Sequence, residues 1–170
     1  MIKKKLSSNK SIFSLLVLFL ICSLCFQNLP TNIYPNMLDL SFGFSGQDVQ
    51  NTFEALGEKG RTQYIYSSLI LDTVFPIIYG LLFFALLLKL KEERVFILSL
   101  PLMAVVFDLC ENISISFMMS SGSFNAISQS HILFASSFNQ CKWVLCILVV
   151  SSLLIQFVKS IYKGSRSTER

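Results

Sequence analysis

One histidine, one tryptophan and ten carboxylates in 170 residues leave little material for most soluble chemistry. His131 has no His-x-x-x-His partner and no Asp-rich stretch beside it, so no metal centre is expected and an interfacial role is the plainer one. There is no Gly-x-Ser-x-Gly, no Walker loop and no glycine-rich dinucleotide fingerprint, and no cofactor is expected. Four prolines and seven glycines form no linker that divides the chain, and neither a repeat nor a low-complexity tract occurs. One domain over residues 1–170 follows. Only 14% of residues are charged against 53% hydrophobic, and the mean hydropathy is +0.62. These values lie outside the range of a soluble domain and point to an integral membrane protein.

The five cysteines, at 22, 25, 110, 141 and 146, all fall within apolar segments, so no extracellular disulfide framework is expected. They read as buried small hydrophobes. Cys22 and Cys25 have the spacing of a dithiol redox pair. Membrane oxidoreductases that use such a pair carry further cysteines in their loops, and this chain has none there. The net charge of +4 does not imply nucleic acid, because the basic residues cluster at the ends of apolar segments.

Four apolar runs set the architecture: residues 11–27, 64–90, 95–119 and 132–161. The first resembles a secretory signal, but no small-x-small site follows it, and it reads as an uncleaved first helix. Residues 28–61 carry two prolines and four glycines and read as a loop. Within that loop Ser45 and Asp48 have capping-box spacing, and Val49, Phe53 and Leu56 recur at helical spacing up to a stop at Gly57. The fold class expected is all-α: a four-transmembrane-helix bundle with a short amphipathic helix over residues 46–56 on its outer surface.

Orientation follows from Lys and Arg. One side holds Lys3, Lys4, Lys5 and Lys10, then Lys89, Lys91 and Arg94, then Lys159, Lys163, Arg166 and Arg170; the other holds Lys59 and Arg61. By the positive-inside rule both termini face the cytoplasm.

The third run contains Asp108, Glu111, Asn112 and Ser116, at i, i+3, i+4 and i+8, hence on one helical face. Ionisable groups within a span normally face a bundle interior and find partners there, which directs attention to Asp72 and Tyr79 in the second run and to Asn139 and Lys142 in the fourth. Pro76 has no N–H, so the carbonyl of Asp72 loses its helical donor and is free to accept from elsewhere. At a rise of about 1.5 Å per residue, Asp72 and Glu111 lie roughly 12 Å from the outer ends of their spans, Lys142 roughly 15 Å and Asp108 roughly 16 Å. Lys142 is expected within ion-pair reach of Glu111 or Asp72. Three carboxylates against one lysine leave an imbalance that low dielectric relieves by taking up a proton or a cation.

Three readings follow from Asp72, Tyr79, Asp108, Glu111, Asn112, Asn139 and Lys142. The cluster binds a proton, a cation or a small polar or lipid ligand at a site open to the outer side, for transport, gating or binding; or it is a buried network, completed by Gln140 and the nearby serines, that fixes helix packing; or Glu111 acts as acid or base and Lys142 as electrophile or nucleophile in an intramembrane enzyme. The bilayer itself is the one partner the composition implies, and a homo-oligomer is compatible with it.

The stretch Glu54 to Arg61 with Tyr64, then Asp72-x-x-Phe75-Pro76-x-x-Tyr79, then Pro101 with Phe107-Asp108-x-x-Glu111-Asn112, then Lys142-Trp143, resembles a group of four-helix bacterial inner-membrane proteins of uncharacterised activity. The likeness covers about residues 45–145. It implies four spans in a bacterial inner membrane and supplies no reaction or catalytic assignment. His131 and the Cys22 and Cys25 pair lie outside its pattern.

Overall fold

The computed structural model describes residues 2–30 and 33–168, with side chains from Lys3 to Tyr162. Arg170 and the side chains of Lys163 and Arg166, which enter the charge count, lie outside the described residues. Within them the chain is helical and has no strand: α1 (Ile2–Leu6), α2 (Asn9–Gln27), α3 (Gly46–Lys89), α4 (Val95–Met119) and α5 (Gln129–Thr168), with short 3-10 turns at Tyr34–Asn36, Leu38–Leu40 and Phe124–Ala126. Helices α2 to α5 are long and apolar enough to cross a membrane. Phe13, Leu20, Leu133, Ile147 and Leu154 stand exposed on them, an extended apolar exterior of the kind that marks an interaction surface.

Local chemistry sets the helix starts. Ser8 caps α2 by accepting from the Ser11 N–H at 3.2 Å. At α3 the box is reciprocal: the Ser45 hydroxyl accepts from the Asp48 N–H at 3.3 Å while the Asp48 carboxylate accepts from the Ser45 N–H at 2.7 Å. The Ser45 hydroxyl also donates to Asp48 Oδ2 at 2.6 Å, and this bond, followed by that from the Ser45 N–H, holds the Asp48 carboxyl below its ordinary pKa.

The segment after this cap is helical, with Val49, Phe53 and Leu56 all buried. Gly57 is non-helical, so the first helical stretch stops there as expected, but no loop follows. Gly57 takes φ 59° and ψ −176°, open to glycine at little cost, and the helix resumes at once and continues to Lys89. Arg61 braces the bend, its guanidinium 3.7 Å from the centroid of the Phe53 ring. Glu58, Lys59 and Arg61 therefore lie on a helix and not in a loop.

Helix α4 packs against both α3 and α5, while α2 packs against α3 and leaves a gap toward α5. Gly80 marks the close approach of α3 to α4: a Cβ there would run into Val105. At the α3–α4 connection, Glu92 is buried and accepts from the Arg94 main-chain N–H at 3.0 Å, from Arg94 Nε at 2.8 Å and from Gln156 of α5. It thereby satisfies the main-chain N–H of the cap residue, Arg94, whose own side chain has no acceptor with which to cap α4. The Arg94 side chain is the main cause that pulls the Glu92 carboxyl down to about 2, with the Arg94 N–H and Gln156 adding to it against the opposing effect of burial.

Two apolar clusters divide the interior. One joins Met37, Leu38, Val49, Phe53, Tyr64 and Ile115 at the end where α3 begins. The other gathers around Tyr79, Ala104 and Val105. On α3, α4 and α5 alike, the polar residues fall between these clusters in chain order, so the polar layer is enclosed by apolar packing above and below.

Candidate functional site

The layer is built from three helices and one loop. Lys142 of α5 lies with Nζ 2.6 Å from Glu111 Oε2 and 3.8 Å from Asp108 Oδ1, both on α4. Among the described residues no ion pair joins Lys142 to Asp72. Glu111 is 0% exposed, and its second oxygen accepts from Asn139 Nδ2 at 2.8 Å. Asp108 accepts from the Tyr79 hydroxyl at 2.7 Å and from Asn112 at 3.3 Å. The carbonyl that Pro76 leaves open on Asp72 accepts from Asn112 Nδ2 at 2.5 Å. One amide thus ties α3 to α4 at the proline.

The loop supplies a residue that the helical pattern does not mark. Asp39 is 7% exposed and accepts from the Tyr64 hydroxyl at 2.9 Å. Its main-chain carbonyl accepts from Lys142 Nζ at 3.5 Å and Asn139 Nδ2 at 3.4 Å. The loop is fastened at further points: Asn139 Oδ1 accepts from the Gly43 N–H at 2.6 Å, and the Ser136 hydroxyl from the Phe44 N–H at 2.9 Å. Residues 33–45 are therefore a folded cover across one end of the polar layer. A signal for this exists in the sequence, since Asp39 is the only charged residue between Lys10 and Asp48.

Some expected partners sit elsewhere. Gln140 is exposed, and its side chain lies against Gly43; Ser137 turns back to the Leu133 carbonyl at 2.8 Å. Neither completes the network around Glu111. Ser116 is buried as the helical face requires, but its hydroxyl has no hydrogen-bond partner among the described residues. His131 rests near the Phe117 ring, centroids 6.5 Å apart. Cys22 is buried and Cys25 exposed, both as free thiols.

The gap between α2 and α5 is a cavity of about 390 Å³. Its polar end is formed by Asp39, Asp72, Asp108 and Lys142, while Phe19, Phe83 and Val150 lie toward the other end along their helices. Phe19 stacks on Phe75 at 5.2 Å, and Phe75 meets Phe26 and Tyr79 edge-on at 5.4 and 5.6 Å, so one wall is a continuous run of rings. Four carboxylates, Asp39, Asp72, Asp108 and Glu111, stand around one lysine. Three of them have side-chain partners. Asp72 does not: it is 4% exposed and lines the cavity, and its Oδ2 finds no hydrogen-bond donor among the described residues. Burying an acceptor without a donor is unfavourable, so this carboxylate is held at a cost in stability. Of the pair considered for acid–base chemistry, Lys142 lines the cavity whereas Glu111 is sealed behind it.

Comparison with protein-family models, with curated proteins and with solved structures finds no match for this chain.

Proposed function

We propose that this chain is a membrane-embedded binding protein that receives its ligand through the cleft between α2 and α5, with Asp72 as the group that meets the ligand. The observation that carries this reading is the Asp72 carboxylate, without a hydrogen-bond donor among the described residues, on the wall of a cavity of about 390 Å³. A volume in the range of small-molecule sites, mostly apolar walls and a few convergent polar groups is the usual form of such a site. In this reading α2 to α5 cross a bacterial inner membrane with both termini in the cytoplasm, the kinked start of α3 lies at the outer surface, and the 33–45 cover closes the polar layer on that side. The ligand then arrives sideways, from lipid.

The network also favours a packing role for part of the cluster. Glu111 is wholly buried and bonded to Lys142 and Asn139, which suits a group that fixes helix register. The two roles divide by residue: Glu111, Asn139 and Lys142 hold the helices, and Asp72 faces the cleft.

The protein's single tryptophan tests the route, because Trp143 lines the cleft. In bilayers of brominated phospholipid, Trp143 emission is expected to be quenched, and Ser23→Phe, which places a ring in the cleft from α2, is expected to protect it. Quenching by aqueous iodide alone, or brominated-lipid quenching that Ser23→Phe leaves unchanged, would remove the lateral opening.

A further inference from the structure

We infer that the ligand is a single-chain amphiphile with a cationic amine head, the ammonium resting against Asp72 and the alkyl chain running along the ring-lined groove toward Phe83 and Val150. This rests on the lateral binding site proposed above and names the chemistry that site would take.

Charge selects the head group. Asp39, Asp72 and Asp108 face the cavity, and the one cation among its described lining residues, Lys142, is already engaged at 2.6 Å by Glu111 and at 3.8 Å by Asp108. A carboxylate or phosphate head would meet three acids and a lysine whose charge is already answered. An ammonium in the cavity brings a donor to the Asp72 carboxylate, which has none among the described residues, and in a low-dielectric setting such a charge-assisted bond is strong. The rings beside it add a second attraction for a cation.

The groove selects the rest of the molecule. From Gln27 to Phe19 it follows α2 for about 12 Å, at a rise of about 1.5 Å per residue. Along that path the lining passes from Asp39 and Asp72, by Asp108 and the Tyr79 hydroxyl, to Phe83 and Val150, so the far end is apolar. A bare inorganic cation would leave the apolar length unused. A volume of about 390 Å³ is at the small end for ligand sites, which suits one chain and not two.

Trp143 again supplies the readout, in bilayer nanodiscs of neutral lipid made with the full chain. Dodecylamine is expected to change Trp143 emission saturably, with dodecanol, dodecanoate and ethylamine at least about tenfold weaker. Asp72→Asn should weaken dodecylamine by about tenfold or more while keeping the unliganded spectrum and a melting temperature no lower than the parent's, because among the described residues the Asp72 side chain has no hydrogen bond to lose. Val150→Phe, which fills the far end of the groove, should weaken dodecylamine without altering the ethylamine response. Equal binding of ethylamine or dodecanol, or dodecylamine binding indifferent to Asp72→Asn, would overturn the inference. Saturable binding of dodecanol or dodecanoate in place of the amine would overturn the ligand class and leave the lateral site standing. No saturable response to any of the four would remove both.

Discussion

Asn112 Nδ2 donates to the main-chain carbonyl of Asp72 at 2.5 Å, and this carbonyl is the one that Pro76 deprives of its helical donor. The side chain of α4 thus completes the backbone of α3. Asn112→Ala removes that donor and one of those on Asp108, and is expected to cost about 1–3 kcal/mol, the usual penalty for stranding buried acceptors. Adding Pro76→Ala restores an N–H at residue 76 and should recover part of the loss. Melting of single and double variants in one detergent checks this; equal losses would mean that the bond does not serve the proline.

Lys142 is the cation on which Glu111 and Asp108 depend. Lys142→Met leaves Glu111 and Asp108 without their cation and is expected to cost about 3–5 kcal/mol, the scale for a broken buried pair. Combining it with Glu111→Gln should restore part of that, since an amide still accepts from Asn139. Chemical denaturation of the two variants tests the coupling, and additive losses would show that the two side chains do not act as a pair.

Glu92 sets an acid limit at the other end of the bundle. Its folded value of about 2 lies below the ordinary 4.5, so the stability it contributes is full above pH 4.5 and is lost as pH falls through about 2. Glu92→Gln should remove this part of the acid dependence. The difference between parent and variant stability, followed from pH 6 down to about 2, should shrink as pH falls. A constant difference would show that Glu92 titrates normally.

The proposed orientation is open to reporter fusions. Fusions after Asn51 and after Arg166 are expected on opposite sides of the membrane, the second in the cytoplasm, as the Lys and Arg distribution requires. Two fusions on the same side would remove the four-span arrangement.

The helical architecture was legible because periodicity and hydropathy act locally. The Ser45 box, the burial of Val49, Phe53 and Leu56 and the carbonyl freed by Pro76 all follow from spacing along one helix. What joined distant segments was harder to see. Asp39 belongs to the site through a loop whose path is set by Tyr64, Ser136 and Asn139, contacts that span up to a hundred residues and leave no periodic trace. Gly57 shows another limit: φ near 60° either ends a helix or bends it, and the Arg61 ring contact that accompanies the bend is not local to the glycine. The α2–α5 cleft depends on which helices pack closely and which stand apart around a cavity, and amphipathic pattern does not record that.

That Asp72 is held for a ligand and not for packing is tested most directly by the thermal stability of unliganded Asp72→Asn. A buried carboxylate without a donor weakens the fold, and an amide of the same shape relieves much of that cost. The melting temperature is therefore expected to equal or exceed that of the parent, in contrast to the loss from Lys142→Met. A fall comparable to that of Lys142→Met would show that the Asp72 carboxylate helps to hold the bundle together, and would contradict its assignment to a ligand.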